Sequence, residues 1–248
     1  MQEYSEKISD KQVRGAIGEA GSGTIPNRCE QFPFVNVREG QLVYDFGRCL
    51  DFMGQKGREL YGDHFRIWEE DQELIYRLLI YVIRDQEEAV MLGLDLGKGL
   101  MVTGPVGCGK TSLMSLLRYF QPQAGRFIVR SCREVSFEFI RNGFEVIRKY
   151  STLSYDTHSS GGATPRTFCF DDLGTEQSLK YYGNACNVMG EILLSRYDQF
   201  ASGGMLTHLT TNLSAPEIGG LYGERVRSRL REMVNVVAFG KDAKDKRR

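Results

Sequence analysis

Gly104-Pro105-Val106-Gly107-Cys108-Gly109-Lys110-Thr111 decides how this chain is read. It fills every fixed position of the pattern G-x-x-x-x-G-K-[ST]. The apolar run Gly99-Leu-Met-Val-Thr103 precedes it, and Lys110 to Phe120, with Leu113, Leu116 and Leu117 at burial spacing, follows it. Strand, glycine loop and helix form the context that gives the pattern meaning. Main-chain N–H groups must wrap around phosphate oxygens, and glycine permits both the backbone angles and the close approach. The start of the helix adds partial positive charge. The reading predicts that residues 104–112, from Gly104 through Ser112, hold ATP. Lys110 reaches the β- and γ-phosphates, and the Thr111 hydroxyl ligates Mg2+. Cys108 stands at a variable position, where a small filler residue or a redox-sensitive thiol would fit.

Outward from the loop, strands and helices alternate. Strands are predicted at 99–103, 127–129, 167–170, 205–211 and 234–239, with helices at 110–120, 135–148, 188–200 and 225–233. Unbroken apolar strands separated by helices predict an α/β fold, a five-stranded parallel sheet between helices. Residues 151–165 are rich in Ser, Thr and Gly and read as a loop. Upstream, Leu74, Ile75, Leu78, Leu79, Val82 and Ile83 form a helical stripe, and Ser9-Asp10 heads a short helix through Val13 and Ile17.

The strand Thr167-Phe-Cys-Phe170 delivers Asp171 and Asp172 to its C-terminal end, where nucleotides bind in open α/β sheets. Asp171 is expected to hold Mg2+ through water or Thr111. Asp172 either orients and deprotonates an attacking water or caps the following turn. Two acids favour hydrolysis over phosphoryl transfer to a small molecule. Asn212 ends the strand His208-Leu-Thr-Thr and is either a γ-phosphate sensor or a turn residue. Residues 222–248 hold nine Lys/Arg against four Asp/Glu, a local net charge of +5. Arg225 and Arg229 share one helical face and Arg227 and Arg231 another.

Lys+Arg and Asp+Glu are 32 each, so no chain-wide basic field exists and any nucleic-acid surface is local. The longest apolar run falls short of a membrane span, and the start has no signal-peptide core. Cys29, Cys49, Cys108, Cys132, Cys169 and Cys186 are scattered without a Cys-x-x-Cys pair, which disfavours zinc and disulfides and points to a cytoplasmic protein.

GPVGCGKT (104–111), FDDLGTE (170–176), TTNLS (210–214) and YGERVRSRLREM (222–233) together resemble the AAA+ helicase loaders and transposition helpers of the DnaC/DnaI/IstB group, in that group's order and at about its spacing. The resemblance spans roughly residues 65–240. It implies a P-loop NTPase of AAA+ (ASCE) type. Residues 1–65 become an N-terminal extension that docks a partner, and 66–248 the ATPase domain, without a helical lid. It assigns Walker B to Asp171 and Asp172, sensor 1 to Asn212, and a trans arginine finger to Arg229 with Arg225 beside it. Glu176 falls on a family-like position. The implied activity is slow ATP hydrolysis, stimulated by DNA or a partner. ATP would drive self-association into a ring or spiral, on single- or double-stranded DNA, with a replicative helicase or transposase as partner. Channel-facing loops at 150–165 and 175–186 carry Tyr150, Tyr155 and His158, with Lys149 just before the first loop, and Lys180, Tyr181 and Tyr182; the last three are the DNA candidates, since cations and aromatics suit single strands. Two other classes stay open: a nucleotide-gated adaptor with little hydrolysis, and a P-loop small-molecule kinase.

Overall fold

A computed structural model describes residues 12–15, 35–38, 41–159, 161–176, 179–181 and 184–247. The chain divides into two compact units: residues up to Leu96 with Ser115–Gln123, and Gly97–Met114 with Ala124–Arg247.

In the first unit, β1 (Gln12–Gly15), β2 (Val35–Arg38) and β3 (Gln41–Asp45) form an antiparallel sheet in the order β1-β3-β2. Val13 pairs with Tyr44, so the helix expected around it gives way to a strand. Ladder pairing outweighs a lone capping signal there; Ser9, Asp10 and Ile17 lie outside the described residues. Asp45 caps α1 (Phe46–Tyr61) by accepting from the Arg48 N–H at 3.0 Å. The helix α1 buries Phe46, Cys49 and Met53. The predicted stripe forms α2 (Gln72–Ile83), which buries residues on every side and ends at Arg84 in the left-handed region, φ 61°. Asp85 then caps the short α3 (Gln86–Met91), accepting from the Glu88 N–H at 3.1 Å.

The second unit is built on a parallel sheet of β4 (Gly99–Thr103), β5 (Ile128–Ser131), β8 (Phe168–Leu173), β11 (Thr207–Thr211) and β12 (Val234–Ala238). Their spatial order is β12-β4-β11-β8-β5, with β11 central, flanked by β4 and the acid-bearing β8. The five strands are those expected from the apolar runs. Between them lie α4 (Lys110–Leu117), α5 (Cys132–Asn142), α6 (Glu145–Tyr150), α7 (Val188–Gly203), α8 (Ala215–Tyr222) and α9 (Glu224–Met233). Residues buried on both faces explain the unbroken hydrophobic strands; Phe168, Phe170, Leu209, Ile192 and Leu193 sit at the centre of the core.

Three details differ from expectation. The single helix expected at 135–148 is two, because Gly143 at φ 60° ends α5 with its N–H on Phe139 O at 2.8 Å. The 151–165 loop carries a small hairpin, β6 (Tyr155–Thr157) against β7 (Ala163–Pro165). A second hairpin, β9 (Leu179–Tyr181) with β10 (Asn184–Cys186), follows the acidic strand. Cys49, Cys108, Cys132, Cys169 and Cys186 are buried thiols outside any disulfide, and Cys29 lies outside the described residues. Among the described residues, no helix is long and apolar enough to cross a membrane.

Candidate nucleotide site

The glycine loop leaves the C-terminal end of β4 and enters α4, as the spacing predicts. Gly104, Gly107 and Gly109 all adopt positive φ, at 158°, 81° and 102°. A side chain at Gly107 is disfavoured by this angle. Lys110 is buried, and its ammonium donates back to Gly104 O at 2.9 Å and Pro105 O at 2.8 Å, with Cys108 Sγ at 4.0 Å. Cys108 is itself buried beneath the loop. Pro105 and the exposed Val106 form the loop's outer rim, and Ser112 lies in the first turn of α4.

Thr111 and Asp171 meet directly. The Thr111 hydroxyl lies 2.9 Å from both carboxylate oxygens. Thr210 Oγ1 donates to Asp171 Oδ1 at 2.6 Å. Burial pushes the Asp171 carboxyl above its usual range and Asp172 adds to the rise, while the two hydroxyls and Lys110 pull the other way.

The acids are aimed by a bulge. Leu209 pairs with Phe170 and Thr211 with Leu173, so Asp171 and Asp172 together oppose the single residue Thr210. Asp172 takes up the extra residue by entering the left-handed region at φ 57°. Its N–H donates to Thr210 Oγ1 at 2.9 Å, and its carbonyl accepts from Thr175 Oγ1 at 2.7 Å. The Thr210 hydroxyl thus links both acids. In the sequence Thr210 reads only as part of the strand, its one signal being a second threonine before Asn212 at the end of an apolar run.

Asn212 follows β11 at the same C-terminal edge and is exposed. Glu176 closes the turn after β8, accepting from the Gly174 N–H at 3.0 Å and from the Tyr222 hydroxyl. Tyr222 ends α8, one residue before α9, so this carboxylate joins the turn after the acidic strand to the end of α8. On α9, Arg229 stacks on Tyr197, its guanidinium 4.2 Å from the ring centroid, and donates to the Tyr197 hydroxyl at 3.0 Å. Arg225 is exposed, and Arg227 pairs with Glu224 at 3.0 Å.

The loop aromatics fare differently. Tyr150 is core, its hydroxyl donating to Glu138 at 2.9 Å, and Lys149 pairs with the same carboxylate at 2.6 Å. Tyr155 donates to Gln199 at 2.8 Å. Lys180 and Tyr181 fall on β9. Their side chains, and Tyr182 as a whole, lie outside what is described.

No protein-family model matches the chain. Among curated proteins, it is 39% identical over 64 residues to the mitochondrial iron-sulfur clusters transporter ATM1 of Chaetomium globosum and 33% identical over 79 residues to that of Neurospora crassa. These matches take in 25% and 31% of this chain and span only 11% and 10% of the transporters. Among solved structures, the DnaC helicase loader superposes with a TM-score of 0.49 at 16% identity, over 75% of this chain and 99% of that one. DnaI gives 0.44 at 19% identity, over 65% and 84%, and AMPPCP-bound DnaA from Aquifex aeolicus 0.45 at 18%, over 73% and 50%.

Proposed function

We propose that this chain is an ATP-binding and ATP-hydrolysing AAA+ protein. It acts with DNA, either loading a helicase in replication or assisting transposition. The observation that carries the reading is the meeting of Thr111 with Asp171 at 2.9 Å, directly beside a phosphate loop. A hydroxyl and a carboxylate make an all-oxygen donor pair, which suits Mg2+. Bound there by Thr111 and Asp171, the ion would neutralise charge on the β- and γ-phosphates.

The chain's own residues supply the remaining work. Lys110 now satisfies two neutral carbonyls, and phosphate oxygens offer it stronger, charged partners. Asp172 sits one residue beyond Asp171, at the sheet's C-terminal edge, suited to orient a water and take its proton. Asn212 stands at the end of the neighbouring strand, suited to sense the γ-phosphate. Arg229, with Arg225, is assigned to the nucleotide of an adjacent subunit; the motif resemblance supports this. Residues 1–65 would select the helicase or transposase, and Lys180, Tyr181 and Tyr182 would touch DNA.

The test is phosphate release by the full chain with Mg2+ and ATP, with and without single-stranded DNA. Lys110→Ala should lose ATP binding. Wild-type protein that binds ATP but releases no phosphate in either condition would leave the adaptor reading in place of the enzyme. Transfer of phosphate to an added nucleoside or metabolite, with none released to water, would favour the kinase.

A further inference from the structure

The segment after β12 runs back over the phosphate loop. The Phe239 N–H donates to Thr103 O at 2.8 Å, extending the β12–β4 ladder. Its side chain covers Gly104, where a Cβ would come within 2.7 Å of Phe239 Cβ. A turn closed by the Ala243 N–H on Gly240 O, 3.0 Å, reverses the chain. The Lys246 N–H then donates to Gly107 O at 3.0 Å, and the Lys246 ammonium lies 5.1 Å from the Phe239 ring centroid. Asp245 lies beside the loop, its Oδ1 accepting from the Arg247 N–H at 3.0 Å. Its carboxylate packs so close to Gly107 that a Cβ there would lie 2.3 Å from Oδ1.

We propose that residues 240–247 form an autoinhibitory strap, which competes with nucleotide by holding the Asp245 carboxylate against the phosphate loop. The inference rests on the nucleotide-binding reading above. Backbone amides of such a loop attract anions, and a resident carboxylate repels incoming phosphates. The strap is tied to the loop by a main-chain bond at Gly107 and folded over Phe239, so nothing covalent or deeply buried has to break for it to lift. Apparent nucleotide affinity is then the intrinsic affinity reduced by the fraction of molecules with the strap raised. A partner that captured the basic tail, with its Lys241, Lys244, Lys246 and Arg247, would raise that fraction.

The experiment titrates the full chain with a non-hydrolysable ATP analogue and Mg2+ by calorimetry. Asp245→Ala should bind about three- to tenfold tighter than wild type. Asp242→Ala, an exposed acid of the same tail, should match wild type. Equal or weaker binding by Asp245→Ala overturns the strap. Hydrogen exchange gives a second readout. The amides of residues 240–247 should exchange faster once the analogue saturates the wild-type protein, and unchanged or slower exchange also overturns it. Should wild type bind, Lys110→Ala not bind, and Asp245→Ala equal wild type, the strap falls and the nucleotide reading stands. Should no form bind the analogue, Asp245→Ala included, both fall together.

Discussion

Thr210 holds two neighbouring acids with one hydroxyl, donating to the Asp171 carboxylate and accepting from the Asp172 amide. Thr210→Val keeps the shape but leaves the half-buried Asp172 N–H and a buried carboxylate lone pair without this partner, which costs about 1–3 kcal/mol. Denaturant titration should show that loss, and Thr210→Ser should recover most of it. The same variant should turn over ATP more slowly than wild type, because the bulge that aims both acids depends on this bond. Asp172→Asn should keep ATP affinity within about twofold and lower the rate of phosphate release by about 10²- to 10⁴-fold. Unaltered release in that variant would remove Asp172 from the chemistry. The loop, Thr111 and the acid pair were legible in the sequence because phosphate chemistry demands fixed residue types at fixed spacing. Thr210 was not, because its role exists only through a cross-strand register shift. The return of Asp245 to the loop was hidden as well, since nothing local in a charged tail records where it folds.

At the scale of single elements, β11 carries a pH dependence. His208 is buried, its Nδ1 accepts from the Leu100 N–H at 3.0 Å, and its ring meets Phe127 edge-on at 4.9 Å. Burial, with Arg196 adding to it, holds its pKa down at about 3. In the unfolded chain the imidazole titrates near its ordinary value, so stability is intact above about pH 6.5 and drains away as pH falls from there towards 3. The thermal midpoint should therefore drop between pH 7 and pH 5. His208→Asn keeps an acceptor for Leu100 and removes the titration, so its midpoint should vary less over that range. Elements with a strong period or a buried run, such as β4, β8 and α2, were readable from the sequence. The hairpins at 155–165 and 179–186 were not, because their polar residues look like loop and only pairing makes them strands.

For the molecule as a whole, the proposed division of labour between subunits makes Arg229 dispensable for ATP binding and necessary for stimulated hydrolysis. Within its own chain it is partly exposed and touches Tyr197 and Glu232 on the surface. Arg229→Ala should thus melt within a few degrees of wild type while losing on the order of 10³ in stimulated rate. Full stimulated activity in that variant would remove the trans role. Light scattering with and without ATP should show mass increasing with ATP in both forms if the arginine acts after assembly rather than in it. Arg196 has a different consequence. Its guanidinium is fully buried, with Thr207 Oγ1 at 2.7 Å and the carbonyls of Tyr150, Arg166 and Leu206 at 2.7, 3.0 and 2.7 Å. No carboxylate is among these partners, and dehydration holds its pKa down at about 9. A planar fork fastens three dispersed stretches of chain, at Tyr150, Arg166 and Leu206-Thr207, in one knot, on which a lysine's single nitrogen would have too few hands. Tolerance of Arg196→Lys is accordingly the quickest gauge of how far this unit's architecture, apart from its chemistry, hangs from one side chain.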